Sequence, residues 1–300
     1  MTHLTRTDLG DLNLVRVIAR AGGFRRAALE LDVSPSALSH AVRNLEARLG
    51  VRLFNRTNRS VTPTDAGHEL ITSLVSGFSV IEEGLEGINR YRDRPTGRLR
   101  LNVLTDAARL LLAPLLASFI VQYPDVTLDI TVQDEFIDIV SAGYDAGIRF
   151  GGRVPEDMVA QAIGPDLRWI MIASPTYLAA CPPLTHPTDL AFHRCIGLRT
   201  GTGALERWEL EHGEEMRTAH VDWAVIVNET ALAVELAERG AGITYCQEQR
   251  VARQLEVGEL CEVLPEWASF GPAFHIYYPS RRHVPKALRA LIDHLRSHAQ

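Results

Sequence analysis

The sequence predicts a two-part chain, in which an all-α head precedes a larger α/β body. Residues 1–64 show three amphipathic helical patterns followed by a short hairpin pattern, and residues 95–300 alternate between strand and helix signals. Between them, residues 65–94 carry one long apolar seam at helical spacing. A length of 300 residues fits about two domains. We therefore expect domain boundaries at 1–64, 65–94 and 95–300.

Charge is distributed unevenly between the two parts. The whole chain has a net charge of −6, but residues 1–64 contain ten arginines and five acidic residues, a net +5. The remaining residues therefore carry −11. A basic head on an acidic body is typical of a phosphate-binding module joined to a part that avoids phosphate, so the head is a candidate for binding nucleic acid.

Composition and motifs favour no enzyme class. The chain contains no phosphate-cradling glycine loop, no HExxH and no GxSxG motif. Its cysteines form no CxxC pair and none lies beside a histidine at metal-ligand spacing; they are Cys181, Cys195, Cys246 and Cys261. We expect buried thiols in a reducing cytosol, no metal and no cofactor, with a redox-sensing disulfide left open.

The sequence predicts no membrane segment. Residues 1–10 are polar and lack the apolar core of a secretory signal. The most apolar stretch, Ala107–Val121, contains Arg109 and Pro114, and we predict that it is a buried segment. We expect a cytoplasmic protein.

Three helices are predicted in the head. The first carries an apolar stripe and stops at the glycine pair of residues 22–23; the stripe consists of Leu9, Leu12, Val15 and Ile18. The second spans about 24–31 and turns two alanines and a leucine inward, namely Ala27, Ala28 and Leu31. After a tight turn at 32–33, Ser34 is expected to cap the third helix with Pro35 at its first position, and Gly50 ends it.

The predicted third helix has two faces. The apolar face is expected to pack on the other helices and consists of Leu38, Val42, Leu45 and Leu49. The opposite face is polar and consists of Ser36, Ser39, His40 and Arg43. Small hydroxyls followed by longer donors suit a helix in the major groove of DNA, and Ser34 and Ser36 at the helix start suit phosphate. Each of these residues alone would be an ordinary surface residue, and Arg43 could pair with Glu46.

A hairpin pattern follows the third helix. Val51, Leu53 and Val61 lie in or near alternating strand positions, with the tip at 55–60. Arg56 and Arg59 at that tip indicate the wing of a winged helix-turn-helix, which contacts the DNA backbone or the minor groove. The alternative is an ordinary polar hairpin.

Residues 27–67, AALELDVSPSALSHAVRNLEARLGVRLFNRTNRSVTPTDAG, resemble the DNA-binding segment of LysR-type transcriptional regulators without a gap. Pro35 and His40 depart from that resemblance, since many members have Gln and Arg there. The first departure removes a side chain that could touch bases, and the second could change the base preference.

One long helix is predicted after the hairpin. Thr62 and Asp65 are spaced like a capping box. The apolar seam consists of Leu70, Leu74, Phe78, Ile81, Leu85 and Ile88. A seam of this kind favours a partner helix, and the resemblance implies a linker helix through which two subunits dimerise, with tetramers built from dimers. The alternative is that the seam packs on its own domain.

The body alternates strands and helices, which predicts α/β structure with largely parallel sheets. Expected strands are 99–103, 126–132, 146–150, 169–173 and 242–246, and expected helices are 105–123, 136–142, 175–180, 230–238 and 284–297. The stretches FIVQYPDVTLDI, IVSAGYDAGIRFG and ERGAGITY continue the resemblance. It implies two subdomains with a cleft between them, like a periplasmic binding protein: subdomain I at about 95–164 and 270–300, subdomain II at about 165–269.

Ligands of such folds lie between the subdomains, at strand carboxyl ends and helix amino ends. The residues expected there are Thr105, Asp106, Arg149, Phe150, Thr200 to Thr202, Asn228 and Thr230. Arg149 could clamp a carboxylate, whereas Asp106 would favour an amine or hydroxyl. The alternative for each is a helix cap or a loop hydrogen bond.

We therefore expect a DNA-binding transcription regulator whose promoter binding responds to a small-molecule effector. Effector binding would reorient the subdomains, change the packing of dimers and alter DNA bending and contact with RNA polymerase. A ligand-independent DNA-binding repressor and a solute-binding protein remain alternatives.

Overall fold

The computed structural model describes residues 6–56, 61–89, 94–152, 154–155, 157–279 and 284–299. The chain forms two compact units, the head, mainly Met1–Asp93, and the body, Arg94–Ile139 with Tyr144–Gln300. In the head, the elements are α1 (Arg6–Ala21), α2 (Phe24–Glu30), α3 (Pro35–Leu49), β1 (Phe54–Arg56), β2 (Val61–Pro63) and α4 (Asp65–Asn89). Strands β1 and β2 pair antiparallel, so the predicted three helices and hairpin are confirmed.

Capping residues set the limits of α3 as the sequence predicts. The Ser34 hydroxyl accepts a hydrogen bond from the Ala37 N–H at 3.1 Å, and Pro35 occupies the first helical position. Gly50 ends the helix with a φ of 70°, a left-handed conformation that favours glycine. These signals are local, which is why sequence alone locates them.

The core of the head is formed where the apolar faces of α1, α2 and α3 pack together. Val15, Ile18, Ala28, Leu38 and Val42 are all almost fully buried in it. The sequence analysis also placed Leu9 of α1 and Leu49 of α3 on the buried apolar faces, but these side chains are 42% and 49% exposed. Each lies near a helix end, beyond the point where the neighbouring helices cover the apolar face.

Helix α4 begins differently from the sequence prediction. Thr62 lies in β2, and the Thr64 hydroxyl instead accepts a hydrogen bond from the Gly67 N–H at 3.0 Å. The capping box predicted for Thr62 and Asp65 was therefore wrong by two residues. Thr62 cannot cap because strand pairing with Asn55 fixes its backbone.

The apolar seam of α4 has two parts. Leu70, Leu74 and Phe78 pack against the core of the head, so packing on its own domain accounts for the first part. Further along, Val80 and Ile81 are 67% and 49% exposed. The side chains of Leu85 and Ile88 lie outside the described residues.

Within the described residues, the body contains thirteen strands before its last helix. Its elements in chain order are β3 (Gly97–Val103), α5 (Thr105–Ala107), a π-helical turn (Ala108–Leu112), α6 (Ala113–Gln122), β4 (Val126–Val132), β5 (Ala146–Phe150), β6 (Met158–Ile163), β7 (Leu167–Ala173), α7 (Pro175–Ala179), β8 (Cys195–Leu198), β9 (Glu209–His212), β10 (Glu215–Thr218), β11 (Trp223–Val227), α8 (Thr230–Glu238), β12 (Thr244–Gln247), α9 (Glu248–Glu256), β13 (Cys261–Val263), β14 (Ser269–Gly271), β15 (Phe274–Pro279) and α10 (Lys286–His298).

Two sheets divide the body into halves. The first half is built on a five-stranded sheet of order β4-β3-β5-β15-β6, with α6 and α10 contributing to its core. In the second half, β12, β13 and β14 all pair with β7, and β8 pairs with β11. The chain crosses between the halves from β6 to β7 and returns from β14 to β15.

The sheets are mixed, so the expectation of largely parallel pairing was wrong. Strand β3 pairs in parallel with β4 and β5, but β15 is antiparallel to both its neighbours and every partner of β7 is antiparallel. The return of the chain through β15 reverses its direction in the first sheet. Such a long-range return leaves no local pattern in the sequence.

The helix predicted at 136–142 is also wrong, because this segment forms turns. Ile139 is buried while Phe136 is 47% exposed, and the Glu135 carbonyl accepts a hydrogen bond from Arg149. Over only seven residues, a few apolar side chains, one of which is buried, cannot be distinguished from the apolar face of a helix.

The stretch Thr105–Gln122 is long and apolar enough to cross a membrane by length and composition alone, within the described part of the chain. Leu111, Leu112 and Phe119 from this stretch are buried in the core of the first half. A core helix passes the same test, so the stretch is weak evidence for a membrane span.

Gly147→Ala should destabilise the body. An added Cβ would lie 2.4 Å from Cζ of Tyr277, and overpacking of this kind costs about 1–3 kcal/mol. Urea unfolding should show a lower midpoint. Gly77→Ala is the control, because a Cβ there meets nothing within 4 Å and alanine favours a helix by up to about 1 kcal/mol. An unchanged midpoint for Gly147→Ala would contradict the packing described here.

Candidate DNA-reading face and ligand cavity

The polar face of α3 is largely open to solvent. Ser36, His40 and Arg43 are exposed and Ser39 is half-buried. His40 Nδ1 lies 3.2 Å from Asn44 Nδ2, one turn further along the helix. The structure thus places these four predicted residues on one accessible face, where they could meet a groove of DNA.

Glu46 does not serve as the partner considered for Arg43. Its Oε1 accepts hydrogen bonds from the N–H groups of Leu53 at 2.8 Å and Phe54 at 3.2 Å, and its Oε2 lies 3.2 Å from Arg56 Nη2. Glu46 therefore ties α3 to the hairpin and leaves the Arg43 side chain exposed.

Four of the predicted DNA-binding residues contact one another within the head, in two pairs. The Ser34 hydroxyl caps α3 and lies 3.0 Å from the Ser36 hydroxyl. Arg56 donates to the Ser39 hydroxyl at 2.8 Å and lies over the Phe24 ring. Arg59 lies outside the described residues.

The sequence reasoning did not single out three further exposed arginines of the head, Arg25, Arg26 and Arg52. The charge count included them, but without structure nothing distinguished them from arginines that pair internally. Arg48, for example, lies 3.0 Å from Asp8 and 2.7 Å from Asp11, and hydrogen bonding to Asp11 raises its pKa.

A cavity of about 280 Å³ lies between the two halves of the body. Both halves contribute to it, through the ends of β5 and β7 and the loops after β3, β8 and β11. Its lining includes seven of the predicted effector residues, namely Asp106, Arg149, Phe150, Thr200, Thr202, Asn228 and Thr230. Thr105 is not among the lining residues; its backbone N–H donates to Asp134 Oδ1 at 2.7 Å. The structure therefore brings most of the residues expected at strand carboxyl ends together around one cavity, and their role in ligand binding stays a prediction.

Arg149 is held mainly by the protein itself. Its guanidinium donates to the carbonyls of Ile148 at 2.8 Å, Asn102 at 3.2 Å and Glu135 at 3.2 Å, and to the side-chain oxygen of Asn102. The residue is 4% exposed, and burial lowers its pKa. Only Nε is left without a partner. Most of the hydrogen-bond donors of Arg149 are therefore used within the protein, as the alternative of a structural role predicts.

Asp106 connects the two halves of the body. It lies on α5 in the first half, and its Oδ2 accepts a hydrogen bond from the hydroxyl of Thr230, the first residue of α8, at 3.3 Å. Its Oδ1 lies 3.8 Å from Nε of Arg250 on α9. Burial raises the pKa of the Asp106 carboxyl, and the charge of Arg250 opposes this.

Aromatic side chains form the apolar wall of the cavity. The ring centroids of Phe150 and Trp169 lie 5.5 Å apart, and Trp169 stacks on Tyr245 at 5.5 Å. The cavity-lining residues that sequence reasoning missed are Leu104, Asp134, Phe136, Trp169, Leu198, Arg199 and Glu206. Leu104, Leu198 and Arg199 lie within two residues of a predicted one, and Asp134 and Phe136 follow the end of β4, so strand ends were a usable signal. Trp169 and Glu206 had no such signal.

The cysteines are free thiols. Cys195 and Cys246 are buried; burial raises the pKa of Cys195 to about 12, and that of Cys246 also lies well above its usual range. In the described part of the chain, no cluster of His, Cys, Asp and Glu is suited to hold a metal ion. Cys195 and Cys246 match the expected buried thiols, whereas Cys181 and Cys261 are only half-buried.

A helix-turn-helix head with an exposed polar helix face, joined to a two-half body around a cavity, defines a DNA-binding regulator with a ligand-binding domain. Two family profiles match: "Bacterial regulatory helix-turn-helix protein, lysR family" over residues 9–68 and "LysR substrate binding domain" over residues 92–300. The chain belongs to the LysR-type transcriptional regulators. Proteins of this family are regulators and not enzymes, bind promoter DNA and small-molecule effectors, and form oligomers.

Relatives and solved structures agree with this assignment. A putative transcriptional regulator of Pseudomonas aeruginosa is 37% identical over 98% of this chain and 96% of its own length. The regulator PgrR of Escherichia coli is 33% identical over 98% of both chains. Among structures, CrgA of Neisseria meningitidis has a TM-score of 0.61 at 26% identity over 100% of this chain and 99% of that chain. AphB of Vibrio cholerae has a TM-score of 0.68 at 23% identity over 97% and 99%.

Arg149→Met should destabilise the body even without any ligand. The substitution removes the guanidinium donor from the Asn102 side-chain oxygen and the Glu135 carbonyl, whereas the Ile148 carbonyl keeps the N–H of Leu104. Each acceptor left unpaired costs about 1–3 kcal/mol. Thermal and urea unfolding of the ligand-free protein measure the loss. Arg199→Met is the control, because this exposed arginine donates only to the Gly203 carbonyl among its described contacts. Equal stability of the two variants would show that Arg149 serves ligands alone.

Proposed function

We propose that this regulator reads DNA through the polar face of α3 and that an effector in the cavity of the body modulates its promoter binding. The observation that best supports this proposal is the cavity, which both halves of the body line. Asp106 of the first half lines the cavity and also contacts Thr230 and Arg250 of the second half. A ligand that favours one arrangement of the halves shifts the equilibrium between arrangements. DNA affinity then follows through thermodynamic linkage.

The residues proposed to contact DNA are Ser36, Ser39, His40 and Arg43, with Arg59 on the wing. Arg43 and His40 are long enough to reach base edges, while Ser36 near the helix start suits a phosphate. Ser34 contributes by capping the helix. The exposed Arg25, Arg26 and Arg52 add positive charge to the same small domain.

The cavity suits a compact ligand with an apolar or aromatic body and hydrogen-bonding groups. Phe136, Phe150 and Trp169 offer ring faces, and the threonine hydroxyls and Asn228 can donate and accept. The arginine clamp on a carboxylate is a weaker proposal, because backbone carbonyls occupy most of Arg149.

The oligomer is proposed to form through the exposed part of α4. Val80 and Ile81 present apolar surface on that helix, where a partner helix would remove it from water. A dimer presents two reading heads to two half-sites of DNA, and pairs of dimers would form the tetramer. In the cytoplasm, such an assembly on promoter DNA could contact RNA polymerase.

Arg43→Ala should weaken binding to the protein's DNA site. Loss of one base or phosphate contact costs about 1–3 kcal/mol, roughly tenfold in affinity, with little effect on folding because the side chain is exposed. Fluorescence anisotropy measures affinity and thermal unfolding measures stability. The control is Arg239→Ala, which removes the same charge from an exposed pair in the body. Unchanged affinity for Arg43→Ala would mean that the reading face is misassigned.

Asn228→Trp should abolish the response to effectors by filling the cavity. Asn228 lines the cavity and is exposed, so the larger ring should block ligands with little loss of stability. Thermal-shift screening of amino-acid-like and aromatic small molecules provides hits for the wild-type protein. The control, Glu229→Trp, changes the adjacent exposed residue outside the cavity lining. A hit that still stabilises Asn228→Trp binds elsewhere, which would contradict the proposed site.

A further inference from the structure

Among the residues that the structure describes, the guanidinium of Arg56 has three partners, and all of them belong to the head. Nη1 donates to the Ser39 hydroxyl at 2.8 Å, Nη2 lies 3.2 Å from Glu46 Oε2, and the guanidinium carbon lies 4.5 Å from the centre of the Phe24 ring. The Arg56 side chain is only 27% exposed. An arginine held on several sides in this way is poorly placed to follow a DNA phosphate.

Glu46 fixes the opposite end of this network. One carboxylate oxygen accepts from the N–H groups of Leu53 and Phe54, where the chain enters β1, and the other lies against Arg56. Phe54 in turn packs edge-on against Phe24, with ring centroids 6.1 Å apart. Helix α3, strand β1 and helix α2 are therefore joined by charge-assisted hydrogen bonds and ring contacts.

The contact with Ser39 has a specific consequence for recognition. A hydroxyl has one hydrogen to donate, and because Ser39 Oγ accepts from Arg56, its own hydrogen can point to an outside acceptor. Ser39 lies on the polar face of α3 beside His40 and Arg43. In the major groove, the available acceptors include the N7 and O6 atoms of purines.

We propose that Arg56 is a positioning residue for DNA recognition, which orients the Ser39 hydroxyl as a donor and holds β1 of the hairpin against the reading helix. It acts through Ser39 and Glu46 and makes no contact of its own with DNA. Arg56 therefore contributes to the discrimination between DNA sequences, whereas exposed arginines of the head contribute to general attraction by phosphates.

The test compares two DNA duplexes of equal length by fluorescence anisotropy at several salt concentrations. One duplex contains a site that the wild-type protein selected from random-sequence DNA, and the other contains the same bases in scrambled order. The wild-type protein therefore binds the first duplex more tightly than the second before any residue is changed. Arg56→Ala should lower affinity for the selected site about tenfold, the size of one lost base contact. Affinity for scrambled DNA and its salt dependence should stay unchanged.

Glu46→Gln gives the sharpest contrast. It removes a negative charge, so simple electrostatics predicts tighter binding to every DNA. If Glu46 holds Arg56 in place, binding to the selected site weakens instead. The matched controls are Arg48→Ala, which removes a positive charge in the last turn of α3 that is paired with Asp8 and Asp11, and Glu69→Gln on the exposed surface of α4. Neither should change the ratio of the two affinities.

Ser39→Ala completes a double-mutant cycle with Arg56→Ala. Because it removes only one partly exposed hydroxyl, it should fold normally and can test the proposal even if Arg56→Ala folds poorly. Ser39→Ala should lose the same discrimination, and the double variant should lose little more. The proposal is overturned if Arg56→Ala weakens both duplexes equally with a salt slope lower by about one. It is equally overturned if Glu46→Gln binds the selected site more tightly, or if the losses of Ser39→Ala and Arg56→Ala add in full.

Discussion

The body depends on one buried cation. Arg149 is almost inaccessible to water, and a guanidinium in that position is stable only when its N–H groups are hydrogen-bonded. The bonds go to β3, to β5 and to the segment after β4, through Asn102, Ile148 and Glu135. That segment is therefore fixed as a series of turns, which brings Asp134 and Phe136 into the cavity. Satisfying this side chain therefore helps to shape one wall of the cavity.

A row of aromatic rings continues from this point into the second half of the body. Phe150 contacts Trp169, Trp169 stacks on Tyr245, and Tyr245 stacks on Trp208, with successive centroids 5.5, 5.5 and 5.9 Å apart. Close-packed rings transmit displacement because a gap between them forfeits contact energy. Together with the bridge from Asp106 to Thr230, these rings connect the cavity wall to the core of the second half.

The head follows the same physical logic on a smaller scale. Glu46 is a largely buried acid whose two oxygens satisfy the chain entering the hairpin and the guanidinium of Arg56. In a small domain with few core residues, a satisfied polar network of this kind makes the arrangement of the helices and the hairpin more rigid. The geometry of the reading helix is accordingly set by residues that need not touch DNA.

Sequence reasoning succeeded where the signals were local. The cap at Ser34, the left-handed Gly50 and the alternation of apolar residues in the head depend on neighbours within one turn, and all were predictable. The reversal of β15 and the turns at 136–142 depend on contacts more than 100 residues away or on a buried partner. For the same reason the cavity could be located, since strand ends are visible in sequence.

Partners of individual polar side chains were not predictable. Arg149 and Arg56 were expected to face a ligand and DNA, but each instead has several protein partners. An arginine in a sequence carries the same charge whether it binds a phosphate, a carbonyl or a ring face, and only the fold decides among these.

The most direct measurement is a fluorescence-anisotropy titration of the purified protein onto the DNA upstream of its own gene and onto scrambled DNA of equal length, at two salt concentrations. A sequence-specific regulator with a basic head should bind the native DNA more tightly, and its affinity should fall as salt rises. Equal and weak binding to both duplexes would contradict the account, because the exposed face of α3 would then read no sequence in that DNA.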